Sequence, residues 1–157
     1  MKKRYLIPFV LVFFTLFSTG CKSEFEKIRA SGDTQLIYKT AFNLYEQGEY
    51  LRAQTLFELI IPAYRGRPEL EKVYFTYAYT YYHLNKFILA NYYFKNFAAT
   101  FPTSELEEEA EFMVAYSSYQ LSPSFRLDQT YSEKAIDEFQ TFVNSYPNSE
   151  RVKECNR

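Results

Sequence analysis

The chain has 157 residues, of which 47% are hydrophobic, and it carries 18 basic and 19 acidic side chains. This size suits one domain or a short array of repeats with a buried core, and the near-neutral charge argues against a nucleic-acid binder. Four glycines and six prolines favour helices over a turn-rich β fold, while one histidine and two cysteines leave little material for a zinc site or a disulfide framework.

Residues 1–20 are predicted to be a signal peptide. The basic cluster MKKR precedes an apolar run over 5–17, and small or polar residues at 18–20 lead directly to Cys21. These three parts are typical of an export signal, and the apolar run is shorter than the roughly 20 residues of a transmembrane helix. The sequence around Cys21 resembles the lipobox of bacterial lipoproteins, which implies cleavage before Cys21 and its acylation. Residues 21–32 are then a lipidated N-terminus and tether; the alternative is an ordinary signal peptide with an incidental cysteine.

The remainder of the chain, residues 33–157, is repetitive. Ala41, Ala78 and Ala115 lie 37 residues apart in three similar helical patterns. Each is followed by a second helical pattern, in which an alanine precedes large apolar residues by four and seven positions. The alanines of the second pattern are Ala53, Ala90 and Ala135. With a proline twelve residues after the last two of these alanines, the pattern resembles the tetratricopeptide repeat.

The repeats predict an all-α, right-handed superhelical solenoid of about three helical hairpins plus the start of a fourth. The hairpins are expected over 33–66, 67–102 and 103–147. The helices are expected near 33–47, 49–64, 68–84, 86–100, 103–121 and 131–145, with a seventh starting near Asn148. We expect tight turns at Gly48 and Asn85, and Pro102 opening the next helix, where its missing N–H costs nothing. The polar segment 122–130 is predicted to be an inserted loop, and the chain's end indicates a fragment of a longer solenoid.

Aromatic residues recur at three positions of each hairpin's first helix. When the shared alanine is numbered 8, the concave groove of such a solenoid is lined by positions 5, 9 and 12, which lie on one helical face. All nine are aromatic: Tyr38, Phe42, Tyr45, Phe75, Tyr79, Tyr82, Phe112, Tyr116 and Tyr119. A large exposed apolar surface marks a binding site, and tyrosine adds a polar group to its contact area. The hypothesis is a peptide-binding groove; the alternative is that these rings are core.

Other chemistry-bearing residues point to no reaction. Five glutamates crowd the start of the fifth predicted helix and are interpreted as a solvated face that favours the helix dipole. They are Glu105, Glu107, Glu108, Glu109 and Glu111. His83 is interpreted as surface or groove lining, and Cys155 as structural or incidental. Because no nucleophile motif or phosphate-binding loop is present, we predict neither an enzyme nor a bound metal or cofactor.

The lipobox, the tether, the three hairpins, the inserted loop and the phrase SYPNSERVKE together resemble the BamD family, the lipoproteins of the outer-membrane β-barrel assembly machine. The resemblance covers residues 21–157, the N-terminal part of that family's five-repeat solenoid. It implies a lipid-anchored scaffold on the periplasmic face of the outer membrane, in complex with the barrel protein BamA and other assembly lipoproteins. It also implies recognition of the C-terminal targeting signal of unfolded barrel proteins, which commonly ends in an aromatic residue.

Two other functions fit the same repeats. One is a different periplasmic tetratricopeptide adaptor lipoprotein, for example one serving peptidoglycan machinery. The other is a glycan-capture lipoprotein, against which the absence of tryptophan argues. If the aromatic groove is not the peptide site, the inserted loop around Phe125 and Arg126 is the next candidate.

Overall fold

The structure is a computed structural model that describes residues 24–124 and 126–155, and its regular elements there are all helical. The signal peptide, Cys21 and Phe125 lie outside the described residues. The helices are α1 (Glu24–Arg29), α2 (Thr34–Glu46), α3 (Tyr50–Ile60), α4 (Glu69–His83), α5 (Phe87–Thr100), α6 (Glu107–Tyr119), α7 (Thr130–Ser145) and α8 (Val152–Cys155). A 3₁₀ helix, Ile61–Tyr64, continues α3.

Helix α1 belongs to a unit that is compact by itself and separate from residues 34–155. Its six residues include an ion pair between Glu26 and Arg29 at 2.7 Å. None of its residues is buried, so a core begins only with α2.

From α2 onward, each helix packs mainly against the next one along the chain. The pairs α2–α3, α4–α5 and α6–α7 form three hairpins, and the contacts α3–α4 and α5–α6 stack each hairpin on the next. The predicted all-α solenoid of three hairpins is therefore confirmed. Within the described residues, no helix is long and apolar enough to span a bilayer.

The repeated alanines lie where helices cross. Ala41, Ala53, Ala78, Ala90 and Ala115 are each 0% exposed. A methyl side chain lets two helix backbones approach closely, and a larger one would force them apart. Between these crossings the core is filled by phenylalanines that are at most 1% exposed, namely Phe57, Phe94, Phe97 and Phe142.

The first two hairpins turn tightly where the sequence predicts. Gly48 has a φ of 78° and Asn85 a φ of 56°, in the left-handed region that glycine and asparagine tolerate best. The turn at Asn85 is closed by a backbone hydrogen bond from Lys86 to the carbonyl of Tyr81 at 2.9 Å. Gly48 and Asn85 are equivalent positions, 37 residues apart, so α3 and α5 begin in the same register.

The predicted role of Pro102 as the first residue of a helix is wrong. The helix after it, α6, begins only at Glu107, and Pro102 lies in a turn. The cause is Ser104, whose Oγ accepts a hydrogen bond from the backbone N–H of Leu106 at 2.9 Å and thereby holds a turn before the helix.

The same arrangement recurs 45 residues later. Ser149 Oγ accepts from the backbone N–H of Arg151 at 3.2 Å, and α8 begins only at Val152. Proline followed two residues later by serine, as in Pro102–Ser104 and Pro147–Ser149, is therefore the signal for a turn between hairpins in this chain.

Candidate peptide-binding site

A continuous row of rings crosses all three hairpins at the C-terminal ends of α2, α4 and α6. Neighbouring ring centroids along the row are 4.2 to 6.5 Å apart. We call this row the aromatic strip; it consists of Tyr50, Tyr45, His83, Tyr82, Tyr116, Tyr119 and Phe139. Four of these seven side chains belong to the nine predicted groove residues.

The middle of the strip is held by polar as well as ring contacts. The ring of His83 stacks on Tyr50 at 4.2 Å, and its Nε2 is hydrogen-bonded to Tyr45 Oη at 3.1 Å. Burial raises the pKa of Tyr45 to about 12, so this phenol stays protonated. His83 is exposed, which fits its interpretation from the sequence as surface or groove lining.

The strip is open to solvent along its length. Tyr119 is 55% exposed, and Tyr45, Tyr82 and Tyr116 are partly exposed. Rings with one face packed and one face free can receive another apolar side chain without first breaking the core.

The rings at position 5 pack into their own hairpins rather than into the strip. Tyr38 stacks on Tyr64 with ring centroids 5.4 Å apart. Phe75 lies 5.1 Å from Phe97. Both are partly exposed, but their main ring contacts across the hairpin are with the second helix or its 3₁₀ extension.

Phe112 differs most from the predicted groove position. It is only 2% exposed, packs on Phe142 with centroids 5.7 Å apart, and has the guanidinium carbon of Arg151 4.2 Å from its ring centre. This ring is a core residue covered by a cation, because the segment after α7 folds back over it.

Of the three position-9 rings, Tyr116 belongs to the strip, whereas Phe42 and Tyr79 pack against second-helix phenylalanines of their own hairpins. Phe42 packs edge-on against Phe57 at 4.9 Å, and Lys72 Nζ lies 4.9 Å from its ring centre. Tyr79 packs edge-on against Phe94 at 4.9 Å. Its hydroxyl donates to Glu109 Oε1 at 2.5 Å. Burial is the larger cause that raises the pKa of Tyr79, and this hydrogen bond raises it further.

Two of the five glutamates interpreted from the sequence as a solvated face are bonded to other segments, while Glu105 is exposed as expected. Glu109 forms an ion pair with Arg151 as well as accepting from Tyr79, and Glu108 Oε1 accepts from Ser149 Oγ at 2.6 Å. These carboxylates join α4, α6 and the segment before α8. Among the described residues, no cluster of His, Cys, Asp and Glu could hold a metal ion.

A cavity of about 530 Å³ lies at the third-hairpin end of the strip. Tyr116, Tyr119 and Phe139 line it, together with Ile136 and Cys155. Burial raises the pKa of the Cys155 thiol, which keeps it protonated and apolar near neutral pH.

Three members of the strip, Tyr50, His83 and Phe139, were not among the nine predicted groove positions. Tyr50 and Phe139 belong to the second helices of their hairpins. Phe87, at the start of α5, borders the strip through its contact with Tyr82 at 5.5 Å. Sequence periodicity places residues on helix faces but does not show which second-helix residues reach the rim.

Protonation of His83 provides a test of its contacts with Tyr50 and Tyr45. Burial lowers its pKa below the ordinary value of 6.5, so the unfolded chain binds the proton more readily than the folded chain does. Stability from this residue is fully present above about pH 6.5 and is lost as the pH falls through the lower folded-state pKa. We expect the urea midpoint to fall more between pH 7.5 and 5 for the wild type than for His83→Gln. Equal falls would contradict the contacts described for this ring.

The fold and the site define a class, that of all-helical repeat proteins with an open aromatic surface at one rim. A family model described as YfiO, outer membrane lipoprotein, matches residues 30–156. The chain therefore belongs to this family of outer membrane lipoproteins. No curated protein matches the chain. The match includes α2 to α8, whereas Cys21 precedes it.

Proposed function

We propose that this outer membrane lipoprotein is an assembly scaffold that binds the aromatic-ended targeting peptides of unfolded β-barrel proteins along the aromatic strip. The observation that carries the proposal is the continuity of the strip, in which rings from three hairpins contact one another in one row. If these rings served only to fill the hydrophobic core, other residues would cover them, whereas Tyr119 is 55% exposed.

The chemistry of the strip suits an extended peptide. Alternate side chains of an extended chain lie roughly 7 Å apart on one side, a spacing close to that of the rings along the strip. Tyrosine provides contact area with few rotamers to fix and a hydroxyl for the peptide backbone. Specificity would then come from the aromatic side chains of the peptide rather than from its charge.

A second cavity offers a place for the end of the peptide. It has a volume of about 670 Å³ and is lined by Phe75, Lys72, Ser104 and residues near them. Phe75 lies 5.1 Å from Tyr79, which in turn lies 6.0 Å from His83, so the cavity adjoins the strip. Its lining carries one basic side chain, Lys72, and two carboxylates, Glu71 and Glu105, so it suits an aromatic side chain near the end of the peptide rather than the terminal carboxylate.

The binding test compares two peptides with the same protein. A peptide copied from the C-terminus of an outer-membrane barrel protein and ending in Phe should bind about tenfold or more tightly than the same peptide ending in Ser, because one buried aromatic side chain is lost. Isothermal titration calorimetry measures both. Equal affinities, or no binding of either peptide, would remove the proposed function.

We also propose that the protein is anchored through acylation of Cys21 and acts together with BamA and other assembly lipoproteins. The family match supports an outer membrane lipoprotein, and the lipobox-like sequence before Cys21 supports that residue as the acceptor. Wild-type cells fed labelled palmitate should yield labelled protein, and Cys21→Ala should yield none. Label retained in the Cys21→Ala variant would assign the acyl chain to another residue.

A further inference from the structure

A second apolar surface lies on the second helices of the first two hairpins, outside the aromatic strip. Leu51, Ile88, Leu89 and Tyr92 are 60%, 59%, 42% and 57% exposed. We call these four residues the apolar patch. Leu51 and Ile88 occupy the same position, two residues before the buried Ala53 and Ala90.

A side-chain hydrogen bond links the two helices that carry the patch. Lys86 Nζ, just before α5, donates to Gln54 Oε1 in α3 at 3.4 Å. Leu51 and Ile88 both lie in the first turn of their helices, at the end where this bond forms. Such a group of exposed aliphatic side chains is larger than the scattered apolar residues of an ordinary surface.

The repeat itself does not require this patch. In the third hairpin, the positions equivalent to Ile88, Leu89 and Tyr92 are Glu133, Lys134 and Asp137. These three are exposed as well. The first hairpin has an apolar residue, Leu51, at the Ile88 position, but Arg52 and Thr55 at the other two, so most of the apolar patch belongs to the second hairpin.

Basic side chains border the patch. Arg52 and Lys86 lie at its rim, and Lys95 follows one turn after Tyr92 on α5; all three are exposed. Arg52 also forms an exposed ion pair with Glu49 at 3.8 Å, which leaves Lys86 and Lys95, within the part of the chain that the structure describes, as the uncompensated basic charges of this border. Aliphatic residues, a tyrosine and a basic border are the combination found where a helix lies in the interface of a bilayer. Lys and Arg can extend their charged ends to the headgroups while their methylenes remain on apolar surface.

We propose that the apolar patch rests on the surface of the lipid bilayer. The chain belongs to a family of outer membrane lipoproteins, so a bilayer is the large apolar partner that this protein meets. The proposal also draws on acylation of Cys21, as proposed above. Thr34 follows Cys21 by 13 positions, of which six are helical in α1; such a stretch spans at most about 35 Å, so an acylated Cys21 would keep the repeats within reach of the bilayer.

Contact through the patch would also position the aromatic strip. Tyr50 of the strip is next to Leu51, and Phe87, which contacts Tyr82, is next to Ile88. The strip and the patch therefore share the rim at which α3 and α5 begin. A peptide bound on the strip would lie beside the membrane in which a barrel protein is to be inserted.

The experiment uses the full acylated protein in vesicles of phosphatidylethanolamine and phosphatidylglycerol. Cys155 is changed to Ser, and an environment-sensitive fluorophore is attached at Ile88→Cys or, as the matched control, at Glu133→Cys. Glu133 is exposed and is the position of the third hairpin equivalent to Ile88. We expect apolar, blue-shifted emission at position 88 and water-like emission at position 133. Adding Leu51→Glu should lower the inserted fraction at position 88 about tenfold, because one buried aliphatic side chain is replaced by a charge.

Several results would overturn the proposal. Water-like emission at position 88, or emission unaffected by Leu51→Glu, shows that the patch does not enter lipid. A blue shift that appears only after other envelope proteins are added shows that the patch binds a protein instead. Mass spectrometry of the acyl group before reconstitution separates failure of the anchor from failure of the patch, and peptide titration in solution tests the strip independently.

Discussion

Tyr82→Ala is expected to weaken binding of a Phe-ended targeting peptide about 30-fold or more. Tyr82 is partly exposed and lies near the centre of the strip, between His83 at 5.8 Å and Tyr116 at 6.1 Å. Truncating a central aromatic anchor of an interface typically costs about 2–4 kcal/mol, while a rim residue costs little. Calorimetric titration measures the change, and circular dichroism confirms that the variant remains helical.

Tyr92→Ala is the matched control for this change. Tyr92 is also a tyrosine on a helix of the second hairpin, is 57% exposed, and lies in the apolar patch rather than the strip. Tyr92→Ala should keep the affinity for the Phe-ended peptide in solution within about a factor of two of the wild-type value. An exposed side chain outside the interface changes the binding free energy by no more than about 0.5 kcal/mol. If Tyr82→Ala and Tyr92→Ala weaken binding equally, the strip is not the peptide site, and the inserted loop with Arg126 becomes the next candidate.

Phe94→Ala should lower the free energy of unfolding by about 3–5 kcal/mol, the usual cost of deleting a buried phenylalanine. Phe94 is 0% exposed and supports both Phe75, at 6.0 Å, and Tyr79, at 4.9 Å. Removing its ring leaves a cavity beneath two residues that border the strip. Urea unfolding followed by circular dichroism measures the loss.

The control for the stability effect of Phe94→Ala is a variant in the same helix. Tyr92→Ala, two residues earlier and 57% exposed, should change the unfolding free energy by no more than about 0.5 kcal/mol. A loss below about 1 kcal/mol for Phe94→Ala would mean that α4 and α5 do not pack as described, because a buried ring cannot be removed from this site without a cavity.

Much of the fold follows from local patterns in the sequence. The 37-residue spacing of Ala41, Ala78 and Ala115 predicts three hairpins, and these alanines are fully buried at helix crossings. The turns at Gly48 and Asn85 also follow from residue type, because few other residues tolerate a positive φ. The late start of α6 does not follow from Pro102, because the turn depends on the side chain of Ser104.

The nine aromatic positions show what periodicity cannot decide. The spacing places Phe112 and Tyr119 on one face of the same helix, yet Phe112 is 2% and Tyr119 is 55% exposed. The difference arises because Phe142, 30 residues beyond Phe112 in the chain, and Arg151, 39 residues beyond it, both pack on that ring. A helical face is a local property, whereas burial depends on residues that arrive from elsewhere.

By itself, the sequence determined the helices, their pairing into hairpins and the rings that each first helix carries, because these depend on residue type and on spacing over a few turns. Only the tertiary structure decided which rings form a site. It brought Tyr50 and Phe139 from second helices to the strip, and it turned Glu109 from a predicted solvated residue into the partner of Tyr79 and Arg151. The physical reason is that these contacts join residues 20 to 42 positions apart, whose approach is set by how the helices pack within a hairpin and how one hairpin stacks on the next.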